Sequence, residues 1–559
     1  MKITFAALDR NYANWRWIDQ DTGEVVTSTC DPVARKLITG DIFDIDSSEV
    51  THASDYWTDA LIPGVLVCGT GAKTYGRFGK RLLYKCVPND RSLPAVLIPY
   101  ESKITGFSKV SPNKFVGFKL QGPDVTSGKH LIGSLTHTIG DVDDFVSYCD
   151  YEMVAKGVSQ SIQKFTKSVF LSLKTGFDRK ALEEKYSVED LTDRNVISID
   201  PEGCRDFDDA FSIQQRNGVV TLSVYIANVA LWMDALSLWD RFPGRVSSIY
   251  LPDRVVPMLP TSLSEALCSL RSGESKYVCT MDVSFDESLD VADVRFYVGK
   301  ITVKRNYVYE EPDLACDPEY KAIHTLISAL CTRRPYVEEI RDSHDSVAYA
   351  MLMMNHLAAQ RLSLERSGLF RCLEVKDKDV SFLPQEVRCI ARAWGSEGGR
   401  YSVFSNSRRH DLMPGHVDLY CHITSPIRRL ADMLNQSLLL NSCGMHLSPQ
   451  GQSFCQAWMD KCDLMNEKMK GVRRVQASAA LLHSATVGKD IFGAMEGYVL
   501  EVAETDSDQR MITIYVPSLK AVGNALSSTA LNLYDKVSVS LHLFVDEHSL
   551  KRKVRFNLL

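Results

Sequence analysis

Nowhere in the chain is there an apolar run of about 18 residues, which excludes a transmembrane helix and, by expectation, a membrane partner. The opening stretch MKITFAALDRNYANWRW lacks the charged-then-apolar layout of a signal peptide, so an intracellular, cytoplasmic protein is expected. None of the 15 cysteines pairs at C-x-x-C spacing, and they fall in apolar contexts such as ALCSL and YKCVP. Buried free thiols are the better reading than disulfides or zinc ligands. No excess of one charge sign exists either: 64 Lys and Arg against 70 Asp and Glu leave a net charge of -6. A nucleic-acid partner would therefore have to be held by local basic patches, because the field of the whole molecule does not attract a polyanion. No fixed-period repeat and no low-complexity tract occurs.

What is present is an ordinary globular composition, 45% apolar and 24% charged, over 559 residues, which is long enough for several domains. The first 90 residues read as short strands between turn residues, WRWIDQDTGEVV, GDIFDID, GVLVCGTG and RLLYKCVP, with an irregular linker near SSEVTHASDYWTDA. A second strand set, AVLIPYE, KFVGFKLQ and KHLIGSLTHTIG, runs into a linker helix at DVDDFVSYCDYEMVAKGV. From about Phe177 strands alternate with longer amphipathic helices such as VAYAMLMMNHLAAQRLSLER. Strand patterning returns in GAMEGYVLEVAE, MITIYVP and KVSVSLHLFVDE. Three small β-barrels around a large mixed domain are the simplest account.

The stretch SIDPEGCRDFDDAF crowds Asp200, Asp206, Asp208 and Asp209 together with Arg205 as the only cation among them. Val196 to Ile199 reads as a buried strand that Pro201 and Gly203 break, and AFSI pairs with VVTLSVYIANV through a turn at Asn217-Gly218. Carboxylates this close repel one another, more so beside an apolar sheet. Oxygen-only ligands select a hard cation, Mg²⁺ or Mn²⁺, and two such ions about 3.5 to 4 Å apart clamp a phosphodiester in many enzymes. A solvated acidic turn or a calcium loop is the alternative, and spacing alone does not decide between them.

A second feature is HITSPIRRLADMLNQSLLL. Ser425 suits an N-cap, Pro426 the first helical position, and Leu430, Met433, Leu434 and Leu438 one apolar helix face. Arg428 and Arg429 then fall in the first turn, where the helix dipole disfavours cations. A phosphate at the helix start would explain them; two surface arginines bridging to nearby acids would as well.

In order along the chain, IDPEGCRDFDDA, IYLPDRVVPMLPTSLSEALCSLRSGE and HITSPIRRLAD resemble the successive signatures of the ribonuclease II and ribonuclease R family of exoribonucleases. SGKHLIGSLTHTIGDVDDFVSYCDYEM is similar to the second cold-shock module of the eukaryotic, exosome-type branch. The resemblance runs from about Ala95 and is strongest between Asp200 and Asn435. Together with the strand patterning of the first 90 and last 70 residues, it gives a multidomain α+β protein: cold-shock or OB-like barrels over 1–90 and, with the linker helix, 91–165; a catalytic RNB domain over 166–489; and an OB-fold barrel over 490–559. The activity implied is metal-dependent hydrolysis of single-stranded RNA from the 3′ end to nucleoside monophosphates.

By the same resemblance Asp200, Asp206, Asp208 and Asp209 hold Mg²⁺ or Mn²⁺, two ions in all, with Asp209 supporting the attacking water. Arg428 steadies the scissile phosphate, Tyr250 and Tyr309 stack on bases near the 3′ end, and Ser425 and Arg429 add RNA contacts. Stacking tolerates any base, although either tyrosine could equally be a core residue. Basic tracking surfaces are expected in KRLLYK, KMKGVRR and LKRKVR.

The chain departs from the family pattern at Asn228, where Asp is usual, at Leu430, where Tyr is usual, and in a shortened segment after Tyr309. No nuclease domain of the exosome-tethered type precedes the first barrel, which argues against exosome association; separately, a monomer is expected. The rival readings are an RNA-binding regulator that has lost catalysis and a nuclease that acts on DNA.

Overall fold

The computed structural model describes residues 1–58, 60–101, 111–127, 130–216, 218–373, 379–394, 399–404, 419–487, 493–505 and 509–559. The turn residue Asn217 and the expected domain boundary at 489/490 lie outside them. The chain divides into two compact units, one formed by residues 1–159, 251–253 and 473–559, the other by 160–250 and 254–472. Among the described residues no helix is long and apolar enough to cross a membrane. The described cysteines form no disulfide, and most are buried.

The first unit contains three antiparallel β assemblies. In the first, Lys2–Ala7 alternates outward and inward side chains, and its inward Ile3 and Phe5 pack with Trp17 and Phe43 from the neighbouring strands. That sheet ends with Glu49–His52. The next strands, Ile62–Leu66, Thr74–Phe78 and Arg81–Pro88, do not belong to it: they pair with one another and, through Ile62–Leu66, with Lys114–Leu120. The first boundary therefore falls in residues 53–61 and not at 90. The reason is the core, since Ile62, Leu66 and Cys86 pack with Val96, Ile98, Val116 and Phe118. The helix Phe145–Ala155, expected as a linker, is packed into this unit through Tyr148, Cys149, Tyr151 and Met153, and Tyr151 stacks on Phe115.

The third assembly orders its strands as Ala521–Ser527, Arg510–Val516, Met495–Glu504, Lys536–Val545 and Arg552–Leu558. Its two outer strands meet through packing: a Cβ on Gly523 would lie 2.6 Å from the Phe556 ring. Only glycine lets them approach so closely.

In the second unit the sheet closes on itself. Val196–Asp200 pairs antiparallel with Asp209–Arg216, which pairs with Val219–Ala227, then Ser275–Phe285, then Val291–Val308. The last of these returns to Val196–Asp200 in parallel register, with Asp200 opposite Val308. The expected Asp209–Arg216/Val219–Ala227 hairpin is present, with Gly218 at φ +80. Around the sheet lie the helices Pro318–Arg333, Ser343–Leu364, Leu430–Ser442 and Pro449–Asp460, three of them capped by Asp317, Asp342 and Ser448. The shortened segment after Tyr309 reaches Ser343–Leu364 through a single 3-10 turn, Leu314–Cys316, the helix Pro318–Arg333 and residues 334–342, with no strand among them.

The basic stretches differ in availability. Lys80, Arg81 and Lys85 are exposed, as are Lys470, Arg473 and Arg474. In LKRKVR, by contrast, Lys551 pairs with Glu152, Arg552 with Asp143 and Lys553 with Asp546, so its charge is largely neutralised within the unit. Glu152 is only 4% exposed. Lys551→Met should therefore lower stability by about 3 kcal/mol, the cost of stranding a buried carboxylate. Chemical unfolding of this variant, and of the double variant that adds Glu152→Met, is the check: the double variant should recover most of the loss.

Candidate active site

Val196–Asp200 is buried along its length, and the chain leaves it through Pro201 and the left-handed Gly203. The loop that follows is held by the backbone and hydroxyl groups of Ser269 and Leu270. Phe207 N donates to Ser269 Oγ (3.0 Å), Ser269 Oγ donates to the Arg205 carbonyl (2.9 Å), and Leu270 N donates to the Phe207 carbonyl (3.0 Å). Ala227 N donates to the Asp208 carbonyl (2.8 Å). The stretch ALCSLRSGE thus acts as a clasp on the acidic loop.

The arginine segment differs from its sequence reading. Residues 426–428 form a turn, with the Ser425 carbonyl accepting from Arg428 N (3.2 Å) and Arg429 N (3.0 Å). The helix begins only at Leu430, behind Arg429 in extended conformation. Ser425 is therefore not an N-cap, and Arg428 is not in a first helical turn. Pairing with residues 246–248 is the cause: Ser248 N donates to the Arg428 carbonyl (2.9 Å), Leu430 N donates to the Val246 carbonyl (2.9 Å), and Arg429 bridges to Ser247. That ladder requires extended backbone at Arg429 and overrides the local capping signal. The same pairing brings the neighbouring Tyr250 beside Arg428.

Asp208 joins the two segments. Its Oδ1 accepts from Ile427 N (3.1 Å) and its Oδ2 from Arg428 Nε (3.0 Å), while Arg428 Nη2 donates to Ser425 Oγ (3.0 Å). Ser425 is 3% exposed and so orients Arg428 from within. Arg429 donates from Nη2 to Asp432 Oδ1 (2.9 Å), which also accepts from Ser425 N (2.8 Å). Asp432, fully buried and unnoticed in the sequence, fixes this turn.

The electrostatics are those of a compressed anion cluster. Burial pushes the Asp208 carboxyl up to about 7, against the lowering influence of Arg428. Burial also raises Asp200, with the charges of Asp208 and Asp206 adding to it, and raises Asp209, with Asp200 adding to it. Asp206 is raised by burial and by Glu265, a second acid that sequence reading missed. Burial works against the Arg428 charge, and Asp208, Tyr250 and Asp209 together more than offset it.

Asp200 and Asp209 each keep a buried Oδ2 without a hydrogen-bond partner. Oxygen donors of this kind suit a hard cation. The four-aspartate cage expected from sequence is, however, not assembled: among the described residues no three Asp, Glu, His or Cys side chains converge to hold an ion. Asp208 has given both oxygens to Ile427 and Arg428. Of the four, Asp200 and Asp209 are the ones with a buried oxygen that lacks a partner.

The two tyrosines neighbour different members of the cluster, Tyr250 being near Asp206 and Asp208 and Tyr309 near Asp209 and Asp200. Tyr250 is 40% exposed, which removes its core reading, and its hydroxyl meets the Arg428 guanidinium; burial and Asp206 raise that hydroxyl to about 12. Tyr309 is half-buried, and its N donates to the Asp200 carbonyl (3.1 Å). Its hydroxyl is raised by burial and then by Asp209 and Asp200. Asn228, fully buried, caps the helix Val229–Ala235 by accepting from Leu231 N (3.0 Å), and Leu430 is a core residue. Neither departure touches the acidic cluster.

Residues 188–325 match the family described as the RNB domain. The Ribonuclease R of Mycoplasmopsis pulmonis is 36% identical over 142 residues, covering 24% of this chain and 20% of that protein. The Exoribonuclease 2 of an Enterobacter species is 29% identical over 372 residues, covering 54% of this chain and 57% of that protein. The chain thus spans between a fifth and somewhat over half of these relatives. Among solved structures, Mycoplasma genitalium RNase R in complex with ribose methylated single-stranded RNA superposes over 100% of both chains with a TM-score of 0.74 at 18% identity. The fold is shared: β-rich OB-like domains flank a central RNB domain.

A carboxylate whose pKa is raised in the folded state costs stability once the pH exceeds its unfolded value, and the full cost is reached above the folded value. Asp209→Asn removes that cost. In EDTA at pH 8.5 the variant should unfold at least about 1 kcal/mol later than the parent protein, and near pH 3.5 the advantage should vanish. Thermal unfolding at the two pH values tests this.

Proposed function

We propose that this chain, which carries an RNB domain, is a divalent-metal-dependent hydrolytic exoribonuclease that degrades single-stranded RNA from the 3′ end to nucleoside monophosphates. The observation that supports it most is the joining of the acidic loop to Arg428 through Asp208, between two tyrosines. It leaves a point where the Arg428 charge acts on Asp200 and Asp209, each with a buried oxygen to spare. Such a point suits a phosphodiester, which needs its negative charge neutralised and a water brought in line with the leaving oxygen.

Asp200 and Asp209 would hold the cation, Mg²⁺ or Mn²⁺, and a second ion would draw on Asp206. When bound, the cation neutralises charge on the scissile phosphate. Asp209 also orients the attacking water through its carboxylate. Arg428, held by Asp208 and Ser425, donates to the phosphate oxygens as charge develops on them, and its fixed geometry means little reorganisation at that moment. Tyr250 and Tyr309 stack on terminal bases, a contact that tolerates any sequence and contributes about 1 to 3 kcal/mol per base. The exposed Lys80, Arg81, Lys85, Lys470, Arg473 and Arg474 would track the backbone electrostatically.

Incubation with 5′-labelled RNA, the same RNA blocked at its 3′ end, and DNA, each with Mg²⁺ or EDTA, tests the reading. Shortening of the unblocked RNA alone, dependent on the metal, is expected. RNA that is bound but never shortened would leave an RNA-binding protein, and cleavage of DNA would reassign the substrate. Asp209→Asn should abolish cleavage while RNA affinity stays within about twofold, since binding is spread over many phosphate contacts. Arg428→Lys keeps the charge but loses the fork to Asp208 and Ser425, and should slow single-turnover cleavage by about 10² to 10³ with little change in Kd at fixed salt. Wild-type turnover in Arg428→Lys would remove the residue from the chemistry.

A further inference from the structure

Tyr309 follows the last residue pair of the closed sheet, Asp200 with Val308, so its main chain is anchored beside the acidic cluster. Glu310 then takes a left-handed conformation, φ +62, and turns the chain off the sheet towards the start of the helix Ser343–Leu364. Three contacts join the two segments there. Glu310 N donates to Ser343 Oγ (3.4 Å), and Ser343 is itself buried. His344 Nε2 lies 3.8 Å from Glu310 Oε1. The His344 ring lies flat on the Tyr309 ring, with centroids 3.7 Å apart and planes 9° from parallel. That separation is van der Waals contact over most of the ring, so nothing can enter between the two.

His344 is not needed to fill a core. Its side chain is 54% exposed and the Glu310 side chain 72%, so the imidazole is placed by its contacts and not by burial. Resting on the proposed role of Tyr309 in stacking on the terminal base, we infer that His344 is a positioning residue for that stack. It covers one face of Tyr309 and fixes the ring, so that only the opposite face is offered to the nucleobase at the 3′ end of the strand. A ring that is already held loses less freedom when a base settles on it, and binding gains by that difference.

The test uses the full chain, EDTA, and a single-stranded oligoribonucleotide with 2-aminopurine as its 3′-terminal base. Stacking quenches the fluorescence of that base, so the readout reports the stack directly and needs no cleavage. Wild-type protein should quench it, and Tyr309→Ala should not. His344→Ala should keep the melting temperature of the wild type, reduce the quench, and weaken binding about two- to tenfold, the range for an aromatic pair. His344→Phe, which restores a flat ring without the imidazole nitrogens, should recover both quench and affinity. Wild-type quenching and affinity in His344→Ala would overturn the inference while leaving the role of Tyr309 intact, as would a folded His344→Phe that fails to recover them. Were His344→Ala to unfold, the His344→Phe result alone would decide. Unaltered quenching in Tyr309→Ala, or none in the wild type, would instead refute the stacking role of Tyr309 and the inference with it.

Discussion

Asp208 accepts hydrogen bonds from Ile427 and Arg428 across 220 residues of sequence, and the rest of the site is arranged around that one carboxylate. Both oxygens of Asp208 accept hydrogen bonds, which only partly compensates its burial at 2% exposure, since its carboxyl is still pushed up to about 7. Its main-chain carbonyl is held from the Val219–Ala227 strand at the same time. Asp208 thereby ties the acidic loop, the closed sheet and the arginine turn to one another. Asp200 and Asp209 are left as the carboxylates with oxygens to spare. A cluster of like charges is a poor way to stabilise a fold, and under the proposed function the ion and the phosphate would offset that cost.

Much of the fold was legible in the sequence wherever the pattern is local. The buried run Val196–Asp200, the hairpin that follows it and the long helix from Ser343 are each written in periodicity and turn residues within a few positions. The boundary between the first two barrels was not. Two adjoining β domains share the same alternation, and only pairing between Ile62–Leu66 and Lys114–Leu120, some fifty residues away, assigns the intervening strands to the second. The start of the helix at Leu430 was hidden for a similar reason. Ser425 and Pro426 carry strong local capping chemistry, yet a ladder with residues 246–248, far off in sequence, decides the backbone.

The site divides along the same line. The four aspartates, Arg428 and both tyrosines could be named from their motifs. Which aspartate would be spent on the arginine could not, because both the guanidinium and the Ile427 amide arrive from a distant segment. Asp432, Glu265 and His344 carried no signal, since each acts through a partner that only the fold supplies. The basic stretch near the C-terminal end misled in the opposite direction: a run of cations read as a tracking surface, whereas Glu152, Asp143 and Asp546 are built to receive it.

The first compact unit is drawn from separated parts of the chain, chiefly residues 1–159 and 473–559 with the short piece 251–253. During synthesis on the ribosome its early part emerges with Glu152 facing a place that Lys551 will fill only some four hundred residues later. At about 5 to 20 residues per second, that is an interval of tens of seconds. The nascent unit must spend it with a carboxylate hydrated or loosely packed, while the whole of the second unit is made and can fold. Synthesis of residues 473–559 is thus a closing event: strands made late seal a unit begun by early ones.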